Sequence, residues 1–94
     1  MTDSILQTER ECYITGRTGA LHRHHIWGGG RRQLSEKHGL WVWLSPDWHN
    51  LSDYGVHFNR VLDLKLKQDG QRAFEQTHTR AEFMAIFFKN YLED

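Results

Sequence analysis

The chain has a single cysteine, Cys12, and a single proline, Pro46. A lone thiol excludes an intramolecular disulfide and a zinc site built from cysteines alone. Net charge is missing too, since 12 Lys and Arg balance 12 Asp and Glu. There is no overall field to draw in a polyanion, so any nucleic-acid surface has to be a local patch. No apolar run approaches the roughly 20 residues that a membrane-spanning helix needs. The stretch from Met1 to Glu11 is polar and lacks the apolar segment of a signal peptide. A soluble cytoplasmic protein without membrane association is therefore expected.

The 94 residues are enough for one small domain spanning 1–94. That length lies just above the limit below which small domains usually need a staple such as a metal. Aromatic residues are plentiful, with four Trp, five Phe and three Tyr, and they are expected to fill much of the core. Histidine is plentiful as well, at seven. Three histidines fall within Leu21 to Gly30, as His22, His24 and His25, just ahead of Gly28-Gly29-Gly30. Histidine is the commonest metal ligand and the usual general base near neutral pH.

Taken in order, residues 1 to 11 carry no strong pattern and read as a frayed end or a first short helix. Cys12 to Gly16 reads as a brief strand closing in a turn. Ala20 to Trp27 reads as a second extended segment, ended by the three glycines, and Arg31 to Gly39 as a polar surface loop. Leu40 to Leu44 is β-branched and aromatic, bounded by Gly39 and Pro46, and reads as a strand. Ser45-Pro46-Asp47 has the residues of a helix start, which puts His49 and Asn50 in the first turn of a short helix. Phe58, Leu62, Leu66 and Phe74 share an i+4 series, with Gly70 as its weak member, and predict an amphipathic helix from Val56 to about Gln76. Thr79 to Glu82 fits a capping box that opens a last helix over 80–92. The expected class is α+β: a core over about 12–60 made of a β-hairpin and a helix, followed by two amphipathic helices.

On a strand, successive side chains point to opposite faces. His22 and His24 then share one face and His25 takes the other. The partners that a metal would still need are to be sought at His49 and His57. Two or three neutral imidazoles can hold a divalent ion and leave positions open for water and substrate. A further imidazole, close but not ligated, can take a proton from an attacking water.

These residues resemble the HNH, or ββα-metal, nucleases, and in particular the small phage-type HNH proteins. The resemblance is carried by His24-His25-Ile26-Trp27-Gly28-Gly29, Arg31, Ser35-Glu36, Gly39-Leu40, His49, Val56-His57 and Lys89-Asn90-Tyr91-Leu92. It runs from about Cys12 to Leu92. It implies a ββα-metal core and a phage-encoded, metal-dependent DNA endonuclease that uses one divalent ion, whether Zn, Mg, Mn or Ni. By position it implies metal ligation by His24 and His49, completed by His57, and water activation by His25. It also implies that Asn50 or Asn59 orients that base or contacts phosphate.

Arg23, Arg31, Arg32 and His22 are candidate phosphate contacts, although a solvated loop would place the same arginines there. So neutral a nuclease implies a homodimer or a larger protein partner to span much DNA. Two departures from the family pattern stand out. The cysteine pairs of many relatives are replaced by Cys12, Thr15 and Ser45, and Gly39-Leu40 stands where the central asparagine belongs. They keep open an alternative, a non-catalytic module of the same fold that binds nucleic acid or protein, for instance as an inhibitor of a host defence system. A purely structural zinc domain is a third reading, one that leaves His25 without a role.

Overall fold

The computed structural model describes residues 2–92. It is a mixed α+β fold with one two-stranded antiparallel sheet and, among the described residues, four α-helices. Strand β1 (His22–His25) pairs with β2 (Trp41–Leu44) in the register His22 opposite Leu44 and His24 opposite Val42. Directly opposite residues share a face. One face therefore carries His22, His24, Val42 and Leu44, and the other carries Arg23, His25, Trp41 and Trp43.

Residues 2 to 11, read as a frayed end or a first short helix, form no helix, and Cys12 to Gly16 is not the brief strand expected there. It is a turn, in which Cys12 N–H donates to the carbonyl of Arg17 and Gly16 N–H to that of Cys12. The segment nonetheless covers the open edge of β2. Ser4 Oγ donates to Trp41 O (2.6 Å), Gln7 Oε1 accepts from Trp43 N (2.8 Å) and Tyr13 N–H donates to Trp43 O (2.8 Å). An exposed strand edge invites pairing with other chains, and these contacts close it.

The stretch expected to be a surface loop contains helix α1 (Arg32–Lys37), preceded by a single 3-10 turn over Gly29–Arg31. Its sequence, Arg-Gln-Leu-Ser-Glu-Lys, is rich in straight-chain helix formers but too short to show periodicity. Tertiary contact supplies the rest. Ser35 is fully buried; it accepts from Trp27 N–H (3.0 Å) and donates to Trp27 O (2.8 Å), which clips α1 to the end of β1. Gly39 ends this segment at φ +69°, where an added Cβ would stand 2.4 Å from the Asp3 carbonyl. Only glycine meets both demands.

Helix α2 (Pro46–His49) starts where Ser45-Pro46-Asp47 predicts. The long helix starts later than expected. Val56–Phe58 is a 3-10 turn, and α3 (Arg60–Phe74) begins after Asn59, whose side chain accepts from Leu62 N–H as its N-cap. Phe58 is therefore off the apolar stripe and 65% exposed. The remainder of the stripe, Leu62, Leu66, Gly70 and Phe74, is buried as the i+4 spacing requires. Gly70 belongs to it because the Trp27 ring lies against the helix there.

Helix α4 (Arg80–Phe87) opens with the predicted capping box, since Thr79 and Glu82 exchange both hydrogen bonds. It stops five residues short of expectation, at Phe88 in a left-handed conformation (φ 64°). The chain then turns back, so that the Tyr91 ring meets Trp27 at 5.5 Å and Tyr91 N–H donates to buried Gln71. The core comprises Cys12, Ile26, Trp27, Leu40, Val42, Leu44, Val56, Leu62, Leu66, Phe74, Phe83 and Phe87. Residues of α3 and α4 contribute to it beside those of the strands. Among the described residues, no helix is long and apolar enough to cross a membrane.

Candidate metal centre

Three histidines from three elements meet on the inner face of the sheet. His24 comes from the middle of β1, His49 ends α2 and His57 lies in the 3-10 turn before α3. One ring nitrogen from each lies within 4.8 Å of the others, and the Nε2 atoms of His49 and His57 are 3.0 Å apart. The loop between the last two returns tightly because position 55 is glycine. A Cβ there would stand 2.9 Å from the carbonyls of both Asp47 and His49. Tyr54 Oη, donating to Asp47 Oδ2 at 2.9 Å, ties the same loop to α2.

The chemistry of the donors fits a divalent ion. His24 is only 6% exposed, and its Nε2 is buried with no hydrogen-bond partner. Such an orphaned acceptor or donor costs on the order of 1–3 kcal/mol unless something satisfies it. Burial pushes the His24 imidazole down to about 3, helped by the neighbouring His49, His57, His25 and Lys67. Burial likewise lowers His49 to about 4, with His57 and His22 adding to it. Both rings are neutral at pH 7, which is the ligating form. Three imidazoles with a fourth position open match the ligand count of catalytic zinc sites.

The second nitrogen of His49 is also engaged. His49 Nδ1 lies 2.9 Å from Nδ1 of His22, with the two rings edge to face. If Nε2 of His49 held an ion, Nδ1 would carry the proton and donate to His22. His22 is thus placed to orient His49, a position that its reading as a phosphate contact did not give it. Outer partners of this kind are worth about 10–100-fold in metal affinity. Titration calorimetry with Zn2+ is expected to find His22→Ala weaker by that factor, with the fold retained.

His25 occupies the opposite face of β1, and its Nε2 lies 2.8 Å from Glu36 Oε1. It nevertheless borders the same opening. A cleft of about 420 Å³ is lined by His24, His25, Gly28, Gly29, His57, Asn59, Arg60, Asp63 and Lys67. A second of about 240 Å³ adjoins it, with Arg23, Arg32 and His49 in its wall. The glycines leave the mouth without side chains, so both strand faces reach the cleft at its end.

The other candidate contacts separate. Arg23 and Arg32 border the cleft, whereas Arg31 lies over the Phe88 ring (5.0 Å), in a groove with Leu34 and Ile86. Asn50 caps α2 and lines a different depression with Leu51 and Phe58. Asn59, the alternative to it, borders the main cleft. Arg60, Lys67 and Glu36 were not singled out as site residues. Arg60 and Lys67 sit on the polar face of α3, where sequence shows only a solvated charge pattern. Glu36 does fall within the matched Ser35-Glu36 pair, which gives no clue to its role. Searches against protein-family models, curated proteins and solved structures find no match.

Proposed function

We propose that this protein is a metal-dependent DNA endonuclease of HNH type, with β1, β2 and the helical segment bearing His49 as its ββα-metal core. The observation that carries the reading is the pairing on one strand: buried His24, whose Nε2 has no partner, lies with His49 and His57 in one cluster of ring nitrogens, while the adjacent His25 reaches the same cleft from the other face. A ligand set and a free base side by side are what phosphodiester hydrolysis needs.

A divalent ion held by His24, His49 and His57 would polarise the phosphoryl oxygens and stabilise charge on the departing oxygen. His25 takes a proton from water as the water oxygen bonds to phosphorus. The bond from phosphorus to the 3′ oxygen breaks, and that oxygen gains its proton from solvent. Arg32 and Arg60, at the rims of the two openings, supply charge-assisted hydrogen bonds to backbone phosphates. They form the local basic patch that a neutral chain needs in order to hold DNA. Lys67 is bridged to Asp63 at 2.8 Å and serves mainly to hold the wall of the cleft.

The test is supercoiled-plasmid cleavage with Mg2+, Mn2+, Ni2+ or Zn2+, comparing wild type with His25→Ala. The variant is expected to lose about 10²–10⁴-fold in rate and to bind metal as wild type does. Cleavage that survives the substitution would remove His25 from the base position. Metal binding without cleavage of any DNA would replace the enzyme with a binding module of the same fold.

A further inference from the structure

His25 does not stand alone on its face of the sheet. Its Nε2 lies 2.8 Å from Glu36 Oε1, and both oxygens of that carboxylate lie 3.0 Å from Arg23 Nη1. Arg23 is itself held, with its guanidinium 3.8 Å from the centre of the Trp41 ring. The hydrogen bond with His25, and then Arg23, keep the Glu36 carboxyl below its ordinary range against the pull of desolvation. An ionised carboxylate has no proton to give and can only accept. The proton in this contact therefore belongs to His25 Nε2, and in the neutral ring the lone pair is left on Nδ1.

We propose that Glu36 is a positioning residue that fixes His25 in its Nε2–H tautomer and so leaves Nδ1 as the acceptor for the proton of the attacking water. The catalytic half of this inference rests on the nuclease reading, whereas the tautomer does not. The contact is not needed to anchor α1. Ser35, one residue earlier, already ties that helix to Trp27 through two hydrogen bonds in the buried interior. Glu36 is partly exposed and lies at the helix face turned to β1, which suits orientation of a side chain better than support of the core. Fixing a histidine tautomer through its second nitrogen is a recognised way to ready a base.

Histidine-selective ¹⁵N labelling of the full chain, loaded with Zn2+ and held at pH 8, reads the tautomer directly. Long-range ¹H–¹⁵N correlations distinguish a protonated ring nitrogen from a bare one, and the His25→Asn variant assigns the signals. Wild type is expected to show one Nε2–H form at His25. Glu36→Gln, which keeps the shape but can donate as well as accept, is expected to show a mixture. In plasmid cleavage the same variant is expected to lose on the order of 10²-fold in kcat, with KM and zinc affinity unchanged. Glu36→Ala is the stronger variant, and the Gln form carries the test if Ala unfolds. An Nδ1–H form or an imidazolium in wild type overturns the proposal, as does a Gln variant with an unchanged tautomer. A wild type with the expected tautomer but no cleavage leaves Glu36 as the orienting group and refutes the nuclease reading instead.

Discussion

Zinc at a hundred times its dissociation constant is expected to raise the melting temperature by roughly 10–20 °C, and His24→Leu is expected to abolish that rise without weakening the metal-free protein. The first half follows from linkage. An ion that binds only the folded state at that excess contributes about 2.7 kcal/mol, and each kcal/mol moves the midpoint of a domain this size by about 4–8 °C. The second half follows from burial. His24 is 6% exposed and its Nε2 finds no partner among protein atoms. In the absence of metal this nitrogen is a liability of about 1–3 kcal/mol. Leucine of similar volume fills the same space beside Val42 and removes it, so metal-free stability is held or raised. A polar ring buried without a partner, against the chain's own stability, points to function rather than to packing. Thermal melts of both proteins with zinc and with a chelator decide it. A variant that still shows the rise excludes His24 as a ligand. A chelated variant that melts far below wild type shows that the His24 ring earns its place through contacts other than a metal.

Such a site was partly legible from sequence, and the division has physical causes. The histidines were visible because density and recurrence survive without coordinates: His24 and His25 adjacent, His49 and His57 downstream. Alternation along a strand then separates His24 from His25, and the structure places them on opposite faces as that rule requires. Elements with local chemistry were also legible. Ser45-Pro46-Asp47 starts α2, and Thr79 with Glu82 caps α4. What depended on tertiary contact was not. Helix α1 has no apolar stripe of its own and exists because Ser35 finds Trp27 across the glycine turn. The Val56 start failed because Asn59, the better N-cap, lay three residues further on. His22 reads from sequence as a phosphate contact, and only the fold, with α2 bringing His49 to 2.9 Å, ties it to the histidine cluster. Glu36 acquired a role only once α1 set it against His25. Asn50 and Asn59 could not be told apart without the path of the loop between them, and Asn59 is the one at the cleft.

The metal-free protein is expected to lose stability as the pH falls from 7 to 5, by about 2 kcal/mol from His24 alone. In the folded state the His24 ring titrates near 3 because burial disfavours its charge, while in the unfolded chain it titrates near 6.5. Between those values the unfolded state binds the extra proton, so stability rises with pH across that window. Its full value is present above about pH 6.5 and is lost on acidification. His49, lowered to about 4 by the same cause, acts in the same direction but more weakly, because it is only half-buried. Glu36, Asp47 and Glu82 are also held below their ordinary values. Their unfolded forms titrate near 4, so their contribution falls away only below about pH 5. The interval from pH 7 to 5 therefore reads the histidines almost alone, as a drop in melting temperature of roughly 8–16 °C. His24→Leu should flatten most of that slope in chelated samples. A slope that persists in the variant would assign the acid sensitivity to other groups and leave the neutral, buried state of His24 without support.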